Sequence, residues 1–182
     1  MSRKIILIAM AALIAVAANA PQSKAASAHE INAGVQATLD KFFYKISGAQ
    51  DLANKAVGML VFPSVVKAGM GLGGEYGEGA LLIGGQTVDY YNTVAASVGF
   101  QLGVQERSVI IMFMTDSALS QFRKTAGWKV GVDGSVAIVT IGVGGSIDSN
   151  KITSPVVGFI LDPKGLMYNL TLEGSKITRI SR

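Results

Sequence analysis

The chain has 182 residues, and its 16 lysines and arginines outnumber its 12 acidic residues to give a formal net charge of +4. Residues 1–25 hold three of the basic residues and no acid, so the rest carries 13 basic and 12 acidic residues and gives no reason to expect a nucleic-acid partner. The chain lacks cysteine and has one histidine, His29, which argues against disulfides, metal sites and Ser-His-Asp catalysis. We therefore expect neither a cofactor nor an enzymatic activity.

The N-terminal segment has the pattern of a secretory signal peptide. Two basic residues precede an apolar run over residues 5–18, and small residues cluster from there to Ala25. The apolar run is too short to span a bilayer as a helix. We expect cleavage after Ala25, with an uncleaved anchor as the alternative. The prediction is a signal peptide over residues 1–25 and one exported domain over residues 26–182, located in the periplasm, in the cell envelope or outside the cell.

Apolar residues at helical spacing begin soon after the predicted cleavage site. This stripe consists of Ile31, Val35, Leu39, Phe42, Phe43 and Ile46. Its intervals predict an amphipathic helix over residues 31–46, ended by Ser47-Gly48. A shorter helix is predicted over residues 49–56, and a third begins where Asp116 can act as a cap.

From residue 57 onwards, glycine interrupts short β-prone segments. Predicted strands span residues 57–62, 71–75, 80–83, 88–91, 95–104, 108–114, 129–132, 135–143, 156–161, 166–172 and 176–180. Turns are predicted at Asp133-Gly134, as a type I′ hairpin, at residues 162–165 and at Glu173-Gly174. Short connections favour antiparallel pairing, and a sharply bent sheet tolerates glycine inside its strands. The predicted fold is α+β, with N-terminal helices packed on a curved, glycine-rich, mostly antiparallel sheet or barrel.

Two features resemble cofactor or catalytic motifs. Residues 69–74 match the G-x-G-x-x-G pattern, but the glycines and acids that follow cannot open the helix that dinucleotide binding requires. Glu75 and Glu78 form a candidate carboxylate pair for a hydrolase. We expect them instead to be solvated side chains of a glycine-rich turn, which makes a hydrolase the weakest of the functional alternatives.

Two segments combine positive charge with aromatic or apolar residues and are candidates for membrane contact. In the first helix, Lys41 and Lys45 flank Phe42 and Phe43, and one of the two rings should face the core because adjacent helix positions point about 100° apart. The C-terminal tail adds Lys176, Arg179 and Arg182. Together these residues are the candidate site for an anionic phospholipid or membrane surface. The alternatives are a helix stripe buried as core and a tail that forms a charged edge strand.

Several segments together resemble the SYLF domain family. They are AVGMLVFPSVVKAG at residues 56–69, GGEYGEG at 73–79, residues 96–103, LSQF at 119–122, and GL at 165–166 with LEGS at 172–175. The resemblance covers about residues 30–182 and is closest to the stand-alone bacterial branch that carries a signal peptide. It implies lipid binding, with the segment over residues 31–46 in the place of the family's amphipathic membrane helix. Eukaryotic relatives also bind phosphoinositides and, in yeast, actin, but for an exported protein we carry over only lipid binding.

The combined prediction is a non-catalytic protein that binds lipid or a membrane surface in the periplasm or cell envelope. The alternative from another class is a structural or protein-interaction module of the envelope. In that module the same helix stripe would be buried or would meet a partner protein.

Overall fold

The computed structural model describes residues 25–139, 146–164 and 172–182. Within its strands, only the backbone is described for residues 69–72, 97–103 and 162–164. The predicted signal peptide lies outside the described residues except for Ala25. The same holds for most of the strand predicted over 166–172 and for the end of the one predicted over 135–143.

The first helix, α1, spans Ala28–Lys45 and begins with a capping box. The Ser27 hydroxyl accepts from the backbone N–H of Glu30 at 3.2 Å, and the Glu30 carboxylate accepts from the N–H of Ser27 at 2.7 Å. This cap starts the helix ahead of its apolar stripe, and Gly48, at φ 81°, stands beyond its end. The predicted N-terminal helix is confirmed.

Two shorter helices follow. α2 spans Ala49–Lys55, and α3 spans Asp116–Lys124. The sequence predicts Asp116 as the cap of α3, but the N-cap is Thr115, whose side chain accepts from the N–H of Ala118 at 3.3 Å. Thr115 takes this role because its backbone is extended, as an N-cap requires, whereas Asp116 is already helical.

Two very long antiparallel strands dominate the sheet. β1 spans Gly58–Ile83 and β2 spans Gln86–Phe113, joined by Gly84-Gly85 with φ of 59° and 78°. Both residues need the left-handed backbone that glycine adopts without strain. The shorter strands predicted over this region are pieces of β1 and β2, because glycine here bends a strand rather than ending it. Three register shifts between β1 and β2 add further bends.

Within the described residues, four shorter strands complete the sheet: β3 at Trp128–Lys129, β4 at Ala137–Ile138, β5 at Val156–Lys164 and β6 at Lys176–Ile180. β2 pairs with β1 along most of its length, with β6 over residues 90–94 and with β5 towards its C-terminal end. β3 adds to β6, and β4 adds to β5. Only the β4–β5 pair is parallel among these, which confirms the predicted α+β fold with a curved, mostly antiparallel sheet.

Of the predicted turns, Glu173-Gly174 is confirmed, with Gly174 at φ 80°. The turn predicted over residues 162–165 is wrong for residues 162–164, which continue β5. Residue 165 lies outside the described part of the chain.

The type I′ hairpin predicted at Asp133-Gly134 is also wrong. The residue with positive φ is Gly131, at 85°, rather than Gly134. The Asp133 carboxylate accepts from the N–H of Lys129 at 2.7 Å, and this side-chain bond shapes the turn. Aspartate often bonds to nearby backbone in this way, so an Asp-Gly pair does not by itself define a hairpin.

The apolar stripe of α1 packs on one face of the sheet. Phe42 is fully buried, and its ring centroid lies 5.0 Å from that of Phe159 on β5. The surrounding core includes Ile31, Val35, Leu39, Leu52, Val61, Ile110 and Met112. At the rim, the Asn32 side chain donates to the hydroxyl of half-buried Tyr90 at 2.9 Å. α1 is therefore fixed to the sheet by burial along most of its length.

The opposite, concave face closes around a second core. The ring of Phe122 on α3 lies 4.9 Å from that of Tyr91 and 4.8 Å from that of Phe113, and Trp128 meets it edge to face. Further members come from both ends of β1 and include Leu60, Phe62 and Leu81. Tyr91 belongs to this core, whereas its neighbour Tyr90 packs against the core on the α1 side.

The curl of the sheet brings the two halves of β1 into contact. An added Cβ at Gly77 would lie 2.7 Å from the carbonyl oxygen of Ser64. One at Gly79 would collide with the carbonyl oxygen of Val61. No side chain fits at either position, so glycine is required here for close approach.

Gly79→Ala should lower the melting temperature, because its methyl group would be forced into the Val61 carbonyl oxygen. Overpacking of this kind costs about 1–3 kcal/mol. Gly74→Ala is the matched control on the same strand, since its Cβ would meet only the Ala95 carbonyl oxygen, at 3.6 Å. Thermal unfolding followed by circular dichroism compares the two variants. Equal melting temperatures would show that β1 does not need this close approach.

Candidate functional site

The C-terminal turn of α1 presents a small basic and aromatic surface. Tyr44 is 91% exposed, and Lys41 and Lys45 are also exposed. Phe42 points into the core, and Phe43 is half-buried against that core. Tyr44 lies two positions from Phe42, about 200° around the helix, so it faces solvent. We call Lys41, Tyr44 and Lys45 the helix-end surface.

The candidate residues on α1 are thus divided between core and surface. Lys41 and Lys45 are accessible to solvent. The ring of Phe42 is buried and cannot contact a ligand in the folded state. The predicted site does not include Tyr44. Its position about 200° around the helix from the buried Phe42 is the sequence signal that indicates its exposure.

The C-terminal tail forms β6 beside β2, and its cations have different surroundings. The Arg179 guanidinium lies 2.5 Å from a carboxylate oxygen of buried Asp89, and Arg123 contacts the other oxygen at 3.2 Å. Lys176 is exposed and makes no ion pair with any residue in the described ranges. Of these tail cations, Lys176 therefore keeps its charge available to a ligand.

Glu78 joins the two ends of the described chain. Its carboxylate accepts from the N–H of Ala26 at 3.1 Å and from the Tyr76 hydroxyl at 2.6 Å, and it pairs with Arg182. Ala26 stands just before α1, and a helix rises about 1.5 Å per residue, so Arg182 and Lys41 are separated by about 20 Å along the helix. The structure does not bring the tail arginine next to the helix-end surface.

Glu75 lies inside the curled sheet rather than in a solvated turn. Its carboxylate oxygens lie 2.6 Å from Arg107 and 3.3 Å from Lys67, and all three side chains are buried. The predicted solvated turn is wrong because the glycines beside Glu75 belong to a bent strand. The cationic partners could not be inferred, since the Arg107 partner is 32 residues away in sequence.

Both members of the predicted carboxylate pair are therefore bound by protein donors. The hydrogen bond from Tyr76 to Glu78 is the main cause that raises the pKa of Tyr76 above its ordinary value of 10.0. Ion pairs and hydrogen bonds of this kind fix strands to one another. Their arrangement accounts for both acids as structural groups.

No helix in the described ranges combines the length and apolar character needed to cross a membrane. The same residues also contain no group of three or more acidic or histidine side chains placed to hold a metal ion. What they do present is exposed positive charge beside an exposed ring. These features describe an α+β domain with a basic and aromatic surface.

A comparison with family models describes this domain further. Residues 94–181 match the model of the Ysc84 family, described as Las17-binding protein actin regulator. The match runs from within β2 to the end of β6 and includes the SYLF-like motifs at residues 96–103, 119–122 and 172–175. Over these residues, slightly less than half of the chain, the sequence is similar to the Ysc84, or SYLF, family. No curated protein gives a significant match to the chain.

Glu75→Gln should destabilise the domain strongly, because it leaves Lys67 and Arg107 buried beside a neutral amide. Breaking a buried ion pair from one side costs about 3–5 kcal/mol. Glu106→Gln is the control, since Glu106 is an exposed acid in the neighbouring part of β2 that bonds to Ser64. Urea unfolding of both variants provides the measurement. A midpoint for Glu75→Gln equal to that of the control would contradict a structural role for this carboxylate.

Glu78→Gln should lower the pKa of Tyr76, because it removes the charged acceptor that favours the neutral phenol. A pKa raised by folding means that the Tyr76–Glu78 contact stabilises the fold below pH about 10 and that this contribution is lost as the pH rises through the folded value. Tyrosinate absorbance measured against pH tests this, with Tyr76→Phe identifying the contribution of Tyr76. Burial also raises the pKa of Tyr91, which therefore serves as an internal reference. An unchanged pKa of Tyr76 in Glu78→Gln would contradict the assignment of Glu78 as the main cause of the raised pKa.

Proposed function

We propose that this chain is a non-catalytic domain that binds the surface of anionic membranes. The observation that carries the proposal is the helix-end surface, where Tyr44 is 91% exposed beside two exposed lysines. Tyrosine suits a membrane interface, because its ring is apolar and its hydroxyl stays in contact with water. Lysines near such a ring meet lipid phosphates at the same depth.

The expected strength of this contact follows from the number of charges. Each basic residue near an anionic surface contributes about 1 kcal/mol, so the upper limit for Lys41 and Lys45 together is about 2 kcal/mol. Salt reduces this contribution, since the Debye length at physiological ionic strength is about 8 Å. The tail adds less through Arg179 and Arg182 than their number suggests, because Arg182 is paired with Glu78 and Arg179 shares Asp89 with Arg123. Binding by this surface alone should therefore be weak and sensitive to salt.

The compartment is part of the proposal. The sequence pattern over residues 1–25 supports export, and we place the protein in the periplasm or cell envelope. The family description refers to actin regulation and Las17 binding. We do not transfer these partners, because export would separate the protein from cytoplasmic actin. We retain the more general property of binding at a membrane surface.

Lys41→Glu/Lys45→Glu should reduce binding to phosphatidylglycerol-containing vesicles on the order of tenfold or more, because the change replaces attraction with repulsion at both positions. Tyr44→Ala should also weaken binding. Co-sedimentation with vesicles measures both effects, and Lys124→Glu/Lys151→Glu, at two exposed lysines outside α1, controls for the same change in net charge.

Phe42→Ala is not a test of binding, because truncating a buried phenylalanine costs about 3–5 kcal/mol of stability. Two results would favour the protein-interaction alternative. One is vesicle binding that does not depend on lipid composition, and the other is no vesicle binding by a folded protein.

Intact mass of the exported protein tests the compartment separately. A mass that still includes residues 1–25 would contradict signal-peptide cleavage.

A further inference from the structure

The middle of the long hairpin has an unusual composition. Residues 68–74 of β1 and 95–104 of β2 contain no charged residue, and their only polar side chains are Ser97 and Gln101. The two segments pair with each other, from Ala68 opposite Val104 to Gly74 opposite Ala96. The pairs that β2 makes with β6 end at Val94, and those with β5 begin at Glu106. Among the described strands, this part of β2 pairs with β1 alone.

At the strand positions that border this segment, polar side chains are buried and apolar side chains are exposed, which is the reverse of the usual arrangement. Positions that alternate along a strand point to opposite faces. On the concave face, Lys67, Glu75, Thr93, Gln105 and Arg107 are all polar and all buried. On the other face, Tyr76, Val94 and Val104 are 48%, 46% and 63% exposed, and Val66 and Ala68 are also exposed. Among the described side chains, these exposed apolar residues over a polar interior indicate that the outer face meets an apolar environment, with the exposed acid Glu106, directly opposite Val66, at its edge.

Lysines border this apolar face on one side. Tyr76 is directly opposite Val94, Val94 is opposite Lys176, and Lys176 is opposite Lys129, across β1, β2, β6 and β3. Directly paired residues project from the same face of a sheet, so the four side chains form one row that changes from apolar to basic. Both lysines are exposed, and neither makes an ion pair with another described residue. Lys129 and Lys176 line a hollow of about 520 Å³ together with Val94, Ala96 and the acid Asp133, whose carboxylate accepts from the backbone N–H of Lys129.

We infer that this face, which we call the arch face (Val66, Ala68, Tyr76, Val94, Val104, Lys129 and Lys176), enters the headgroup region of an anionic membrane. The apolar residues meet the upper acyl chains, and the two lysines contact lipid phosphates. The inference rests on the proposed function and assigns it a second site. Insertion stays shallow, within about 5–10 Å, because a two-stranded ribbon has outer backbone groups that need water or headgroup oxygens as partners.

A membrane fits this face better than a second copy of the chain. A two-fold contact is self-complementary, so it would bring Lys129 and Lys176 of both copies to one interface. Like charges at an interface disfavour association. A layer of lipid phosphates above hydrocarbon, in contrast, offers negative charge and apolar surface in the order that the row from Lys129 to Tyr76 requires.

The arch face and the helix-end surface can be tested separately. A groove of about 740 Å³ lies between the start of α1 and the arch face, lined by Ile31, Val66 and Tyr76 among others. The helix-end surface is at the other end of this 18-residue helix, a length of about 27 Å. A probe at one surface therefore does not report on the other.

The chain has no cysteine, so a single introduced cysteine gives a unique labelling site. Val104→Cys places an environment-sensitive NBD fluorophore on the arch face, and Tyr44→Cys places it on the helix-end surface. Val88→Cys is the matched control, because Val88 is also on β2 and is 42% exposed but lies near the Gly84-Gly85 turn. Melting temperatures of the labelled full-length exported proteins establish that each variant is folded.

With mixed phosphatidylglycerol and phosphatidylcholine vesicles, we expect a blue shift and lipid-quencher accessibility at position 104 and no change at position 88. Lys129→Glu/Lys176→Glu should weaken vesicle binding on the order of tenfold, with Lys124→Glu/Lys151→Glu, at two other exposed lysines, as the charge control. A shift at position 44 alone would overturn the arch inference and leave the proposed function standing. No vesicle binding by a folded protein would overturn both. A shift at position 104 that depends on protein concentration without vesicles, with disulfide-linked dimers of Val104→Cys, would assign the face to a second copy instead.

Discussion

The architecture depends on how closely the two halves of β1 approach each other. A strand can fold back on itself only if nothing occupies the space between its two backbones, and Gly77 and Gly79 provide that space. Because β2 pairs with β1 along most of its length, the two ends of β2 are brought together as well. α1 then has a single continuous surface to cover on one side, and α3 closes the other side. The helices add to this curled hairpin but do not determine its shape.

The same curl accounts for the buried charges. Where the hairpin bends, its concave face becomes too narrow for solvent, yet Lys67, Glu75 and Arg107 project into it. Desolvation of these groups would be costly without the ion pairs that Glu75 makes to both cations. On the opposite face of the same strands, the exposed residues described near the bend are mainly apolar, with Glu106 as a charged exception. A single alternation of residues thus explains both the ion cluster and the exposed apolar surface.

Local features of the fold could be predicted from the sequence, and non-local ones could not. The stripe from Ile31 to Ile46 defines α1 because every interval lies within one helix. Glycines between β-prone segments were interpreted as strand ends, since the contact that tolerates them joins residues distant in sequence. For the same reason Glu75 was predicted to be solvated. The alternation of residues around Glu75 does place charged and apolar side chains on opposite faces of the strand. Which face becomes the interior depends on the curl of the sheet and not on this alternation.

The candidate site shows the same division. The exposed lysines of α1 and the burial of one phenylalanine follow from helix geometry alone. The surroundings of Arg179 and Arg182 do not, since their acidic partners lie on β2 and β1, far away in sequence. Lys129 remained outside the predicted site because its neighbour Lys176 is adjacent only through β3–β6 pairing. Counting basic residues along the sequence therefore overestimates the positive charge that the tail presents to a ligand, because the fold places acidic partners beside some of them.

The meeting of Ala26 and Arg182 on one carboxylate has a topological consequence. Both ends of the described chain are held at the same point, so a short peptide linker could join them without crossing the sheet. New ends could then be opened at the exposed Gly84-Gly85 turn, where the chain reverses and side chains are absent. Such a circular permutant would retain every pairing of β1 with β2 while removing the covalent link between them. The hairpin would then assemble as two separate strands held in register by their bulges and by α1.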